Sequence, residues 1–322
     1  MGLENPQRVS VIDPIGQAIE HVRLMLFKPF DLSKWFIIGF CAWLAQLGHG
    51  GGGGGGNGGN GWRADGHEPI FHAIKDGILA HLAVIIFVGA ILIPIIIIIA
   101  VVLCWLRSRG QFMFVHCVAG NKAEVVVPWN KFARHGNSLF LFRIVLGFIG
   151  FLVIGLPVAA AVFAGFVMCA TGFNPAAIIG LTGAIFVVVV VAVLLGLIAK
   201  FTTDFVVPIM FLNTESCIAG WKQCLALISS NKAQMLLYIL FQIVIHLVIA
   251  FIALAIYLIG FCCCCCLSCC ISLLLIVPIL NIIVMYPIVV ILLPLIAFKR
   301  AYSLFYLRQF GTQFDVFSVQ PA

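Results

Sequence analysis

A few polar side chains embedded in long apolar segments are the residues of this sequence that could carry chemistry. Arg143, Asp204, Gln242 and His246 stand in or beside apolar runs, and a bilayer makes such groups expensive unless they face a partner or a cavity. Gln242 and His246 are four residues apart and therefore share one face of a helix. A polar interior that joins His246 to Asp204 or Arg143 would form a site or a path for a lipid headgroup or an ion. The competing interpretation is ordinary hydrogen bonding between helices by Gln242 and His246, with Arg143 and Asp204 reaching out to the membrane interface.

Cysteines form the second candidate group. The chain has 13 cysteines, and seven of them lie at Cys262–Cys266, Cys269 and Cys270. On a helix, Cys262, Cys266 and either Cys269 or Cys270 would share a face, where thiolates could hold copper(I) or zinc. Cys266 and Cys269 form one CxxC motif, but the second CxxC or the histidine pair that a structural zinc site needs is missing. Cysteine also packs as a small hydrophobe. Packing is therefore the favoured interpretation of the Cys262–Cys270 cluster, with a disulfide, a metal site or lipidation as alternatives.

Four of the eight histidines gather in or beside one loop of the chain. They are His49, His67, His72 and His81. His72 and Asp76 are four residues apart, so a loose metal or proton-sensing site could form there. A solvated loop that holds histidines by chance is the simpler interpretation. No HExxH spacing occurs, and we expect neither a metal nor a cofactor.

The sequence offers no combination of residues that would suit catalysis. It contains no GxSxG, no pair of carboxylates placed for acid–base work, and no Ser-His-Asp set that spacing brings together. Only 11 acidic residues exist, and most of them flank the apolar segments. We therefore predict that the protein is not an enzyme.

Composition decides the class of protein. Of 322 residues, 63% are hydrophobic and 9% are charged, and the mean hydropathy is +1.20. A soluble domain carries about 25% charged residues, so both a soluble enzyme and a disordered chain are excluded. The predicted fold is all-α: a polytopic bundle of about six transmembrane helices with amphipathic interfacial helices, in a single membrane domain over residues 1–322. The six predicted spans are Ser33–Leu47, Leu79–Leu106, Leu139–Cys169, Ala177–Ile198, Met235–Gly260 and Val284–Leu304.

Lysines and arginines predict the orientation in the membrane. With six spans, 16 of the 18 lie on one side, and only Arg63 and Lys75 lie on the other. The positive-inside rule then places both termini in the cytoplasm, with the chain in the inner (plasma) membrane. The first apolar run begins at Trp35, so we expect no cleavable signal peptide. The net charge of +7 favours anionic membrane lipids as partners over nucleic acid.

A repeated pattern precedes the spans. Three basic, aromatic segments, Asp13–Phe30, Pro128–Asn137 and Thr214–Asn231, have helical apolar spacing that suits helices lying in the interface plane. In the first, Asp13 is the expected cap, with Pro14 in the first turn. The pattern suggests three diverged units over residues 13–106, 128–198 and 214–304. The Gly-rich stretch over residues 48–66 is predicted to be a flexible extracytoplasmic loop.

Three short motifs resemble a known family. They are Lys28-Pro29-Phe30 with Trp35 and Ala42-Trp43-Leu44-Ala45, then Ser108-Arg109-Gly110 with Phe112-Met113-Phe114, and finally Phe298-Lys299-Arg300-Ala301-Tyr302-Ser303-Leu304 with Gln309-Phe310-Gly311. Together they resemble a bacterial and archaeal family of six-helix membrane proteins of unknown function. That family looks related to the membrane domain fused to some glycerophosphodiester phosphodiesterases. The resemblance implies a helical membrane fold and no established activity. The barrel that carries phosphodiester hydrolysis in the fused proteins is absent here, so that activity is not expected.

The sequence therefore predicts an integral membrane protein that binds lipid or a protein partner and organises the membrane. The alternative is a transporter or channel for a small or amphiphilic solute. In that case Pro94, Pro157 and Pro208 would break spans around a polar cavity.

Overall fold

The chain is helical throughout the part that the computed structural model describes, which is residues 9–47, 67–171, 175–213, 216–263 and 286–318. Its helices are α1 (Asp13–Phe27), α2 (Leu32–Gln46), α3 (His67–Gly120), α4 (Val126–Lys131), α5 (Ala133–Thr171), α6 (Pro175–Phe201), α7 (Val207–Asn213), α8 (Cys217–Ser230), α9 (Lys232–Cys263) and α10 (Leu293–Arg308). A π-helical turn, Thr202–Val206, joins α6 to α7. Within the described ranges no strand occurs, so the prediction of an all-α fold is confirmed.

Four helices among the described residues are long and apolar enough to cross a membrane. They comprise Ile86–Gly120, Ala133–Gly165, Ile178–Asn213 and Lys232–Ala255. In the most apolar window of each, between 0% and 22% of the residues are buried inside the protein. Their middle sections therefore present apolar side chains outward, as a lipid-facing helix does.

The described residues thus provide four candidate spans, where the sequence predicted six. The first predicted span corresponds to α2, whose 15 residues reach about 22 Å at 1.5 Å per residue. The last is interrupted: residues 286–291 are helical, Leu292 is a turn, and α10 follows. Most of α10 is buried in protein, and hydropathy does not distinguish burial in protein from burial in lipid.

The prolines do not break the spans as predicted. Pro94 lies within α3 and Pro157 within α5, and both helices continue through them. Only Pro208 stands next to an irregularity, because the π turn ends two residues before it. Pro208 has no N–H to donate to the Asp204 carbonyl, and a widened turn accommodates that missing hydrogen bond.

The buried core lies where the ends of the spans meet. It combines the end of α3, the start of α5, the π turn with α7, the start of α9, and the helices α1, α2, α8 and α10. Both ends of the described chain join it. The Ser10 N–H donates to Gln309 Oε1 at 2.7 Å, and Gln309 Nε2 donates to the Ser10 carbonyl at 2.9 Å. Residues 10 and 309 therefore lie at the same end of the bundle.

Helices α1 and α8 lie within the first and third predicted interfacial segments, whereas the second, Pro128–Asn137, comprises the end of α4 and the start of α5. In α1, Asp13 is not the cap as predicted. It occupies the first turn, Ile12 is the cap residue, and Ser10 Oγ accepts from the Asp13 N–H at 3.2 Å. In α8, Ser216 is the cap, and its side chain accepts from the Ala219 N–H. The repeat over residues 13–106, 128–198 and 214–304 stays a prediction.

The motif Ser108-Arg109-Gly110 holds three helices together. Ser108 Oγ accepts from Arg143 of α5 at 3.2 Å. The Arg109 guanidinium carbon lies 4.5 Å from the centroid of Trp105 and 4.8 Å from that of Trp129. At Gly110, a Cβ would lie 2.6 Å from the carbonyl carbon of Leu44 in α2, so only glycine allows this approach of α2 to α3.

The Gly-rich stretch over residues 48–66 lies outside the described residues. So do His49 and most of the Cys262–Cys270 cluster, of which Cys262 and Cys263 end α9.

Candidate functional site

The π turn places a carboxylate inside the protein. Thr202–Val206 forms this turn, and Asp204 at its centre is 6% exposed. Thr202 Oγ1 donates to the Ile198 carbonyl at 2.7 Å, and Thr203 Oγ1 to the Ala199 carbonyl at 3.0 Å. These bonds occupy carbonyl groups that a π turn leaves without regular helical partners. Asp204 is thus held in the core and does not reach out to the interface.

Four side chains close a ring of hydrogen bonds between α6 and α9. Lys200 Nζ lies 2.9 Å from Asp204 Oδ2, and the Tyr238 hydroxyl donates to the same oxygen at 3.1 Å. Gln242 Nε2 donates to the Tyr238 hydroxyl at 2.8 Å, and Lys200 Nζ donates to Gln242 Oε1 at 3.3 Å. Each of the four side chains contacts two others in the ring. The ring therefore gives polar partners to the Lys200–Asp204 charge pair, which would otherwise be costly to bury.

Aromatic packing fixes the ring from outside. The Tyr238 side chain is fully buried, with its ring centroid 4.6 Å from that of Tyr306 and 4.9 Å from that of Phe205. Tyr306 in turn donates its hydroxyl hydrogen to the Gln234 carbonyl at 2.8 Å. Tyr238 therefore has little freedom to turn away from Asp204.

Two of the four predicted site residues meet in the ring, and two do not. Asp204 and Gln242 are joined through Lys200 and Tyr238. His246 lies one turn beyond Gln242, where its Nδ1 donates to the Gln242 carbonyl at 2.6 Å, and its side chain is exposed on the surface of α9. Arg143 is not in the ring. It donates a hydrogen bond to Ser108 of α3 and interacts with a second group of basic side chains that includes Arg107.

A buried arginine links the ring to that group. Arg300 of α10 is 7% exposed, and its Nη1 donates to the Thr203 carbonyl inside the π turn. Its charge interacts favourably with Asp204 and unfavourably with Arg143.

Comparison with known proteins assigns the chain to a family. A family model matches residues 9–317, nearly the whole sequence, and its description is a family of unknown function, DUF7544. The chain belongs to DUF7544. No curated protein and no solved structure matches it. Membership agrees with the predicted family of uncharacterised proteins, and it brings no activity, ligand or partner to the site.

Three residues of this DUF7544 chain that lie in or next to the ring were not predicted as site residues: Lys200, Tyr238 and Arg300. Lys200 precedes Asp204 by four residues and Tyr238 precedes Gln242 by four, so helical spacing alone could have paired them. Arg300 carried no such signal, because its contact with the π turn spans 97 residues. In the sequence it stands out only as part of the family motif Phe298–Leu304 and as a basic residue that contributes to the predicted orientation.

The described residues offer no evident metal centre. No group of three or more His, Cys, Asp or Glu side chains within them lies close enough together to hold an ion. The ring can hold and orient polar groups, and its neighbourhood is rich in cations. The chemistry that this arrangement suits is recognition of an anion.

Proposed function

We propose that this chain is a non-catalytic protein of the inner (plasma) membrane that binds anionic lipids at its cytoplasmic face. The carrying observation is a set of exposed cations beside apolar side chains that point away from the core. Protein partners could use the same surface, but acidic lipids match its charge.

Helix α8 supports the proposal because it is apolar on two faces. Cys217, Gly220 and Cys224 face the core and are buried. Ile218 and Leu225 are 66% and 55% exposed. A helix packed on one side and apolar on the other suits the boundary between headgroups and acyl chains.

Exposed cations of α4, α5, α8 and α9 form no ion pair within the described residues. Lys131, Arg134, Lys222 and Lys232 are all exposed, and none of them takes part in the four ion pairs formed among the described residues. Each basic side chain near an anionic membrane surface contributes about 1 kcal/mol of attraction. Four such charges would concentrate acidic lipid around α4 and α8.

The test measures which lipids accompany the purified protein. Full-length protein in micelles that contain equal amounts of phosphatidylglycerol and phosphatidylcholine is separated from free lipid, and the bound lipids are quantified. We expect enrichment of phosphatidylglycerol in the wild type and a loss of that enrichment when Lys131, Arg134, Lys222 and Lys232 are all changed to Gln. Equal enrichment in both proteins would refute the proposal.

A charge-preserving variant provides the matched control. Changing Lys131, Lys222 and Lys232 to Arg keeps every positive charge at this surface and should keep the enrichment. Raising the salt concentration should weaken enrichment in the wild type, because exposed charges are screened. Enrichment that ignores both charge and salt would indicate acyl-chain contacts alone.

The proposal includes a topology of six spans with both termini in the cytoplasm. The four candidate helices would be joined by α2 and by the segment over residues 284–304. The contact of Ser10 with Gln309 supports an even number of crossings. Kinship with the membrane domain of glycerophosphodiester phosphodiesterases stays a prediction from the sequence motifs.

Transport of a small solute is the second candidate, and the buried ring between α6 and α9 is the observation that favours it. Charged side chains between spans often mark a pathway. In proteoliposomes, a solute flux that disappears in Gln242→Ala, within the ring, but not in His246→Ala, outside it on the same helix, would support transport. The absence of any flux would leave lipid binding as the function.

A further inference from the structure

Cations outnumber acids around Arg300. The positive charge of Arg143 is repelled by those of Arg107 and Arg300, and that of Lys299 by those of Lys200 and Arg300. Asp204 attracts Lys200, Lys299 and Arg300. Positive charge therefore predominates around Arg300 among these side chains.

The Arg300 guanidinium has an edge without a partner. Its Nη1 donates to the Thr203 carbonyl, whereas Nε and Nη2 are buried and meet no acceptor among the residues that the structure describes. Asp204 does not fill the gap, because among the described residues its ion pair is with Lys200 and not with Arg300. A buried charged donor left unpaired destabilises a protein, so an acceptor bound at this edge would be stabilising.

The free edge has the geometry of an oxyanion receptor. In a guanidinium, Nε–H and the outer N–H of Nη2 point in the same direction, and two parallel donors bind two oxygens of one carboxylate or phosphate. The surplus of positive charge favours the more highly charged of those anions, a phosphate group. Arg143 and Lys200, which are half-buried, place further charge beside it without occupying the edge.

We propose that Arg300 binds a phosphate group through Nε and Nη2, in a site whose charge is completed by Arg143 and Lys200. The phosphate belongs either to a phospholipid headgroup or to a free phosphate compound in the cytoplasm. This site is built from α5, α6 and α10 and uses none of the surface cations Lys131, Arg134, Lys222 and Lys232. It therefore stands or falls separately from the surface that enriches acidic lipid.

Native mass spectrometry and equilibrium binding on the full-length protein in neutral detergent test the site. The probes are inorganic phosphate, sn-glycerol 3-phosphate and phosphatidic acid, with chloride at equal ionic strength as the control anion. We expect a bound phosphate group in the wild type. Binding of all three probes would assign a general phosphate site, and binding of phosphatidic acid alone would assign the headgroup.

Arg300→Lys keeps the charge and removes the fork. We expect its affinity for the bound probe to fall about tenfold or more, because a charged hydrogen bond contributes about 1.5–3 kcal/mol. The matched control is Arg308→Gln on the same helix, which loses an exposed ion pair with Asp315 and should bind like the wild type. Unchanged affinity in Arg300→Lys would overturn the proposal.

A second variant covers the case in which Arg300→Lys does not fold. Arg143→Gln removes a neighbouring charge at a half-buried position. It should weaken phosphate binding, and chloride, the control anion, should not change that binding. Wild-type protein that binds none of the three probes would overturn the site, whatever the lipid enrichment at the surface shows. Wild-type protein that shows no phosphatidylglycerol enrichment but still binds phosphate would refute the proposed function and leave the site standing.

Discussion

The Tyr238 hydroxyl donates a hydrogen bond to Asp204 Oδ2 at 3.1 Å across 34 residues of chain, and both side chains are buried. This single contact ties the π turn after α6 to the start of α9. Asp204 Oδ2 also pairs with Lys200, and Arg300 reaches the same turn through the Thr203 carbonyl. The stability of the core and the position of the arginine thus depend on one turn.

Removal of that hydroxyl should destabilise the protein. In Tyr238→Phe, Asp204 loses a donor and Gln242 Nε2 loses its acceptor at 2.8 Å. We expect the free energy of unfolding to drop by about 1–3 kcal/mol, since buried polar groups are left unpaired. Unfolding by a denaturing detergent in mixed micelles gives the measurement.

Tyr286→Phe is the matched control for this change. Its hydroxyl donates to the Phe36 carbonyl at 3.1 Å from a half-buried side chain, so water can replace the lost bond. We expect a smaller loss, below about 1 kcal/mol. Equal losses in the two variants would show that the ring contributes no more than an ordinary surface hydrogen bond.

The long apolar runs made the fold predictable from the sequence. The contacts between those runs could not be predicted. Lengths near 20 apolar residues predict membrane helices, and the long helices α3, α5, α6 and α9 follow. The run over Val284–Leu304 looked the same by composition. However, its second half packs against α1 in the protein core, and an apolar side chain is equally suited to either environment.

The candidate site was predictable only in part for a similar reason. Helical periodicity places Gln242 and Tyr238 on one face of α9, but it does not say which helix that face meets. The π turn that turns Asp204 inward has no sequence signature beyond the following Pro208. Arg300 could be recognised as a site residue only after α10 was seen to lie against that turn.

Close packing of α2 on α3 makes Gly110 a sensitive position. A methyl group there would lie 2.6 Å from backbone and Cβ atoms of Leu44, so Gly110→Ala must push the helices apart. We expect a loss of about 1–3 kcal/mol from overpacking. Gly147→Ala in α5 meets nothing within 4 Å and should be neutral or stabilising, since alanine favours helix by about 1 kcal/mol over glycine.

Thermal unfolding of the two glycine variants in the same detergent gives the comparison. A melting temperature for Gly110→Ala equal to that of Gly147→Ala would contradict the close approach of α2 and α3. It would also remove the structural reason for the glycine of the Ser108-Arg109-Gly110 motif.

Stability should fall as the solution becomes acidic, in part through His21 of α1. Burial lowers the pKa of His21, while its hydrogen bond to the Val118 carbonyl at 2.7 Å opposes the shift. The unfolded chain, with a histidine pKa near about 6.5, then binds the proton more tightly than the native state does. The contribution is present above about pH 6.5 and is lost as pH falls through the native pKa.

Replacement of His21 by Gln separates this effect from other titrations. Glutamine can still donate to the Val118 carbonyl but does not titrate. Melting temperatures measured from about pH 7.5 to pH 5 should decline less steeply in His21→Gln than in the wild type. Parallel curves for the two proteins would show that His21 takes no part in the acid sensitivity.

The orientation of α8 can be tested with its own cysteines. Burial raises the pKa of both the Cys217 and the Cys224 thiol to about 12, and both side chains face the core. Because the thiolate is the reactive form, we expect maleimide to leave both residues unmodified in the native protein at neutral pH and to label them after denaturation. Peptide mass spectrometry identifies the modified positions.

Lys222→Cys on the exposed side of the same helix serves as the positive control and should react at once. Native labelling of Cys217 or Cys224 at the rate of that control would mean that the buried face of α8 is open, and the two-faced packing that supports the lipid-binding surface would then be wrong.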